Sequence, residues 1–274
     1  MTALAVVTIV SGRHDHLCRQ QARLALSHRT PSDYVVVAID DPAVGAWTPP
    51  NGPAPHVVDL ESSGPLPLAA ARNLGARTAF DRGADVVVFL DVDCIPHPQL
   101  LGLFAEAAEQ HPRSLLTGRV GYLPAGVDYD RPENFDNLAK VHAFRPDPAT
   151  GDYATGHHDL FWSLSFAVSR ETWHAVGGFF EGYRGYGGED TDFGLTARDR
   201  GVELVWVGGA VAYHQFHETQ DPPVQHLDDI LANGALFARR WGFWPMRGWL
   251  DAFERLGLVQ RDATGTYTRI GVPA

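Results

Sequence analysis

Cysteine is almost missing from this chain: Cys18 and Cys94 are the only two in 274 residues, and neither lies in a CxxC pattern. No disulfide framework and no cysteine zinc site is expected, and a reducing compartment fits best. Positive charge is scarce too. Lys140 is the sole lysine, the 22 basic residues are scattered, and 33 acidic residues bring the formal net charge to −11. That balance argues against a nucleic-acid footprint or an anionic membrane surface as the main partner, so any anionic ligand must be held locally. No run approaches the roughly 18 apolar residues of a membrane helix. The N-terminal MTALAVVTIV lacks the basic n-region of a signal peptide, and a soluble, cytoplasmic protein is expected. Internal repeats and low-complexity tracts are also missing.

Apolar, β-branched runs are present, and each ends in a polar tip. Leu4 to Val10 stops at Ser11-Gly12, Tyr34 to Ile39 at Asp40-Asp41, and Asp85 to Leu90 at Asp91. Such runs are the pattern of strands buried on both faces of a parallel sheet. Helical segments alternate with them at Gln20 to Ser27, Ala69 to Phe80 and Pro98 to Gln110, which predicts βαβ units. Residues 42 to 67 and 119 to 160 show no sustained period and read as long loops. Further strands are expected at Phe161 to Ser169, Val202 to Val207 and Ala210 to His214. Helices are expected from about Glu189 to Arg200, then over 224 to 241 and 246 to 257.

Ligands of open α/β sheets bind outside the carboxyl ends of the strands, so the polar tips should line one crevice. Chance alone gives about two D-x-D pairs among 23 aspartates, and three occur. Of these, Asp91/Asp93 directly follows a fully apolar strand, where two carboxylates can hold a hard divalent cation that bridges a diphosphate. Asp128/Asp130 reads as a solvated turn. A second constellation is Gly185-Tyr186-Gly187-Gly188-Glu189-Asp190-Thr191-Asp192, which feeds acidic residues into a helix N-terminus. The bland reading is dipole capping. The six glycines between 177 and 188 suggest instead a loop that moves and approaches a ligand, with Phe179, Phe180, Tyr183 and Tyr186 as faces for a sugar ring. Held by the helix N-terminus, Asp190 is expected to stay ionised at pH 7. The third is His214-Gln215-Phe216-His217, where an imidazole can complete the Asp93 site. His157-His158 and His14-Asp15-His16 are weaker metal candidates. The fourth is Arg72 in AAARNLGA, either a solvated helix arginine or a guanidinium at the crevice.

In this order the motifs resemble the GT-A nucleotide-sugar glycosyltransferases of family 2 and the C-terminal part of the β-1,4-galactosyltransferases. The residues that carry the resemblance are Ser11-Gly12-Arg13, Asp40-Asp41, AAARNLGA at 69 to 76, FLDVD at 89 to 93, and GGFFEGYRGYGGEDTDFG at 177 to 194 followed by AYHQFH. What the resemblance implies is an α/β, GT-A fold: a Rossmann-like, mostly parallel sheet flanked by helices. The resemblance spans about residues 4 to 220 and implies a single domain over residues 1–220; residues 221–274 lie outside it and are expected to form a helical extension packed on the same domain. It further implies an inverting transfer from a nucleoside diphosphate-sugar, UDP-sugar favoured, to the hydroxyl of a small-molecule, glycan or glycolipid acceptor, with Mn2+ or Mg2+. Carried over by position, Asp190 is the catalytic base. Ser11, Gly12, Arg13, Asp40, Asp41, Arg72 and Asp91 bind the donor, and Tyr186, Gly188, Glu189 and Trp162 bind the acceptor or donor sugar. Asp93, His214, Asp91 and His217 are the metal candidates. The galactosyltransferases have tryptophan at the place of Tyr186 and aspartate at that of Thr191, which leaves the donor open. Two rival readings are a sugar-nucleotide nucleotidyltransferase, which needs a glycine-rich basic loop where this chain has Ser11 to Asp15, and a non-catalytic sugar-binding protein.

Overall fold

The computed structural model describes residues 2–45 and 52–271. In chain order the elements are β1 (Leu4–Val10), α1 (His14–Leu24), β2 (Asp33–Ile39), α2 (Pro42–Gly45), β3 (His56–Leu60), α3 (Leu68–Asp81), β4 (Val86–Leu90), β5 (Cys94–Pro96), α4 (Leu100–Gln110), β6 (Ser114–Thr117) and β7 (Val120–Tyr122). There follow α5 (Phe135–Leu138), β8 (Tyr153–Gly156), β9 (Ser165–Ser169), α6 (Arg170–Val176), α7 (Glu189–Asp199), β10 (Glu203–Val207), β11 (Ala212–His214), α8 (Leu227–Trp241), α9 (Arg247–Arg255), β12 (Val259–Arg261) and β13 (Tyr267–Arg269). Among the described residues no helix is long and apolar enough to cross a membrane.

Eight strands form one mixed sheet in the order β3-β2-β1-β4-β9-β6-β10-β8. Strands β1, β2, β3 and β4 run parallel, and β9 is antiparallel to both β4 and β6. The unbroken apolar runs are explained by burial on both faces. Leu4, Val6 and Val10 of β1 pack with Leu17 of α1 and Phe104 of α4, while Ala5, Val7 and Ile9 pack with Phe80 of α3, Trp173 of α6 and Phe193 of α7. Successive side chains of a strand point to opposite faces, so two layers of helices demand apolar residues at nearly every position; Thr8, the exception in β1, is buried and bonds to Gln20. The expected α/β architecture, a mostly parallel sheet flanked by helices, is the one observed.

Several expectations are corrected. Residues 42–67 are not one loop: they contain α2 and the edge strand β3, and 46–51 lie outside the described residues. Strand β3 has a half-buried face and only five residues, too few to register as a period. The stretch 119–160 likewise holds β7, α5 and β8. Helix α1 starts at His14, six residues before its expected start, because its first turn is polar and exposed. The central strand β6 (SLLT) was not anticipated.

A second, three-stranded sheet does the most for the candidate site. Strand β11 pairs antiparallel with β5, placing His214 opposite Cys94, and parallel with β7, placing it beside Tyr122. The amide of Gln215 donates to the carbonyl of Asp93 at 2.7 Å and extends the ladder. In this way a residue from the end of β4 meets one about 120 positions later. After β11, α8, α9 and the β12–β13 hairpin enclose a small core of their own around Leu227, Ile230, Leu250 and Phe253.

Candidate active site

The carboxyl ends of β1, β2 and β4 face one edge of the sheet, and the turn after β4 is fixed from beneath. Gln20 of α1, fully buried, donates from its amide to the carbonyls of Asp91 (2.7 Å) and Cys94 (2.9 Å), and its Oε1 accepts from Thr8 and Tyr34. A buried side-chain amide with this many partners leaves the turn one conformation. Asp93 projects from it, 7% exposed. His214 Nε2 lies 3.5 Å from its Oδ1, and His217 Nε2 lies 3.6 Å from Oδ2. The Arg13 guanidinium also meets Oδ2. Burial pushes the Asp93 carboxyl up, but the hydrogen bond from His217 and the charges of His214 and Arg13 outweigh it and hold the group at about 2.

One ligand atom from each of Asp93, His214 and His217 falls within a 4.8 Å cluster. An anionic oxygen with two imidazole nitrogens is a donor set suited to a borderline divalent cation. The ring of Tyr122 lies 5.0 Å from that of His214 and fixes its orientation. Among the described residues this is the one such group. Asp91 stands outside it, and so do His14 and His16. His14 pairs with Asp41 (2.8 Å), and His16 Nε2 faces the Phe216 carbonyl at 3.3 Å.

Asp91 is engaged by Arg72, whose Nη2 donates at 3.0 Å while its Nη1 reaches Glu189 Oε1 at 3.1 Å. Arg72 is 3% exposed, so it is no solvated helix arginine. One guanidinium thus ties the turn after β4 to the start of α7. Glu189 is 6% exposed, and its second oxygen, Oε2, has no partner among the described residues. An unpartnered carboxylate oxygen in so buried a place is costly unless a donor arrives. Burial raises the Asp91 carboxyl above the ordinary aspartate range even beside Arg72. Breaking a buried ion pair by removing one partner costs about 3–5 kcal/mol. Arg72→Met is therefore expected to lose about that much stability in a urea titration; a loss too small to measure would contradict the triad.

Asp190 follows on the first turn of α7, its Oδ1 accepting from the Thr191 amide at 2.6 Å. The helix N-terminus does not set its charge alone. Burial and the charge of Glu189 outweigh the Thr191 hydrogen bond and the pull of Arg72, and the carboxyl is raised to about 7. Asp192 is buried and serves a different purpose, accepting from Tyr183 (2.9 Å), Arg240 (2.7 Å) and Trp241 (2.7 Å).

The glycine loop does not gain freedom from its glycines. Gly185 and Gly187 have φ of 69° and 92°, which L side chains rarely adopt. A Cβ on Gly185 would lie 2.2 Å from the Asp229 carboxylate, and one on Gly187 2.7 Å from Met246 Sδ. These glycines permit close packing on α8 and its C-terminal flank. Of the four aromatic residues assigned to stacking, Phe179 is in the core against Phe193 (4.2 Å), Tyr183 is buried on Asp192, and Phe180 lies under Arg240. Tyr186 remains open, 39% exposed, with one face stacked on His226 at 4.5 Å. Gly188 is the N-cap of α7 with φ 95°.

The remaining candidates lie around this edge in different states. Gly12 donates to Asp41 at 2.7 Å, next to the half-buried Ser11, and Asp40, with φ 49°, accepts from the Ser62 amide at 2.9 Å. Trp162 stacks on the guanidinium of Arg145 at 4.5 Å, which has Trp206 on another side at 4.7 Å. The sequence reading missed Gln20, Tyr122, Arg145, His226 and Asn233. None sits in a motif, and a buried glutamine in a helix leaves no trace in the pattern of apolar residues.

Residues 52–173 match the family model described as glycosyl transferase family 2, and residues 155–219 match that described as N-terminal domain of galactosyltransferase. Among curated proteins the chain is similar to the validoxylamine A glucosyltransferase of Streptomyces hygroscopicus subsp. limoneus, 27% identical over 236 residues, covering 73% of this chain and 49% of that protein. The namesake from S. hygroscopicus subsp. jinggangensis is 28% identical over 167 residues, 50% of this chain and 36% of its own length. The chain thus spans half or less of the curated relatives it matches. Among solved structures, GalNAc-T7 with UDP, GalNAc and Mn2+ aligns with TM-score 0.56 and 16% identity over 79% of this chain and 43% of that one. S. aureus TarS 1-349 in complex with UDP-GlcNAc aligns with TM-score 0.56 and 14% identity over 86% of this chain and 66% of that one.

Proposed function

We propose that this chain, which has the GT-A fold and resembles the family 2 glycosyltransferases, transfers a sugar from a UDP-sugar to an acceptor hydroxyl with inversion at the anomeric carbon. The observation that carries the reading is the convergence of four distant segments on one sheet edge. Asp93 meets His214 and His217, while Arg72 binds the Asp91 turn to Glu189, the neighbour of Asp190. Uridine as the base is supported by the UDP and UDP-GlcNAc in the two solved structures. A glucosyl donor is supported by the names of the curated relatives, validoxylamine A glucosyltransferases.

In this reading Asp93, His214 and His217 would hold Mn2+ or Mg2+, whose Lewis acidity supplies several kcal/mol of stabilisation to the departing diphosphate. Ser11, Gly12, Arg13, Asp40, Asp41 and Asp91 receive the nucleotide. Tyr186 offers its open face to a sugar ring, the free Oε2 of Glu189 accepts a sugar hydroxyl, and Gly188 lets the backbone come close. Trp162 flanks the acceptor. Asp190 takes the proton from the acceptor hydroxyl as that oxygen attacks, and one displacement inverts the anomeric centre.

The raised carboxyl of Asp190 has a kinetic sign. The base works ionised, so kcat/KM is expected to be level in mild alkali and to fall tenfold per unit as pH drops below about 7. A kcat/KM profile flat between pH 5 and 8 would remove Asp190 from the role. To identify the donor, thermal stabilisation by UDP-, GDP- and dTDP-sugars is measured with and without Mn2+. A UDP-sugar should raise the midpoint most, and more with Mn2+, because a ligand that binds only the native form stabilises it by mass action. A panel in which no UDP-sugar shifts the midpoint counts against the reading.

A further inference from the structure

We propose that α8 positions the catalytic loop and that Asn233 is the residue through which it does so. The idea rests on the reading of residues 185–190 as catalytic, but α8 lies beyond both family models, which end at residues 173 and 219. Asn233 is 3% exposed and faces the loop backbone. Its Nδ2 donates to the carbonyls of Arg184 (2.8 Å) and Tyr186 (3.3 Å), and its Oδ1 accepts from the Arg184 amide (3.3 Å). One turn earlier on the same helix, Asp229 Oδ2 accepts from the Tyr186 amide at 3.2 Å. Both backbone polar groups of Arg184 and of Tyr186 therefore have their partners on α8.

The loop needs such an anchor. A segment with glycine at 185, 187 and 188 has many backbone states to lose, and its polar groups find partners outside the turn: the Gly185 amide donates to the Leu66 carbonyl at 2.9 Å, and those of Arg184 and Tyr186 turn to α8. The two side chains on α8 select one state and, through Gly188 at the N-cap, fix where Glu189 and Asp190 begin. At the far end of the same helix, Arg240 and Trp241 hold Asp192. Helix α8 thus grips the loop on both sides of Asp190. A misplacement of about 1 Å at a reacting group costs about 10²-fold in rate, so the anchor acts on turnover while the nucleotide of the donor, held at the sheet edge, is untouched.

The test uses the full chain and two variants, Asn233→Ala and the more exposed Asp229→Ala, which guards against a folding defect in the first. Two readouts are taken, tryptic cleavage after the exposed Arg184 and Mn2+-dependent release of UDP from UDP-glucose. For Asn233→Ala, cleavage is expected about tenfold faster, kcat about 10²-fold lower, and affinity for UDP, titrated by calorimetry, within about twofold. Asp229→Ala should move the same readouts in the same direction by less. Arg239→Ala, on the exposed side of α8, should change neither. Cleavage and kcat unaltered in both anchor variants overturn the proposal. Faster cleavage in a chain whose unmodified form never releases UDP counts against the function read into the loop, not against its anchoring.

Discussion

Asp190→Asn is expected to lower turnover by about 10²- to 10⁴-fold while donor affinity stays within a few-fold, the range a positioned base contributes. The substitution keeps the shape of the side chain and the oxygen that accepts from the Thr191 amide, so the loop has no reason to move. It removes the negative charge and the basic oxygen. It also carries an internal control. Because burial and Glu189 raise the Asp190 carboxyl, the fold disfavours its ionised form, and above the raised pKa the charge costs stability. The neutral asparagine should therefore melt no lower than the unmodified chain at pH 8. Lost turnover with an unchanged or raised midpoint identifies a chemical role. Wild-type turnover in the variant would move the base elsewhere.

Asp93→Asn is expected to weaken Mn2+ binding by at least about 10²-fold, read by calorimetric titration of the metal alone. Changing partners that merely orient metal ligands already costs about 10- to 100-fold. Asp93 supplies the one carboxylate of its three-residue group, beside the imidazole nitrogens of His214 and His217. The variant also frees Arg13, whose guanidinium faces Asp93 Oδ2. His217→Ala should cost less, since Asp93 and His214 persist in the ladder between β5 and β11. If Asp93→Asn bound Mn2+ as the unmodified chain does, the group of three would not be the cation site.

What could be read in the sequence divides along a physical line. Strands β1, β2 and β4 were legible because burial on both faces leaves unbroken apolar runs, and their polar tips marked the edge where the candidate residues gather. Asp93 was legible because it follows the apolar run of β4 by three residues, and His214 because it ends the short strand β11. The partnership of Arg72 with Asp91 and Glu189 was not, since nothing in the periodicity of α3 distinguishes a buried guanidinium from a solvated one. The glycines were seen but misjudged: read as freedom to move, they are the price of pressing 185–188 against Asp229 and Met246. Phe179 and Tyr183, read as sugar platforms, are core. The role of α8 left no signal, because Asn233 acts on backbone groups of residues about 49 positions away and belongs to no spacing rule.

The central claim is that the cation group and the nucleotide site work as one. Its most direct test is a calorimetric titration of UDP into the unmodified chain and into Asp93→Asn, each with Mn2+ and with EDTA. The account predicts that Mn2+ tightens UDP binding at least about tenfold in the unmodified chain, about 1.4 kcal/mol, and has no such effect in the variant. Equal UDP affinity in Mn2+ and EDTA, or a metal effect that survives the loss of Asp93, would contradict it.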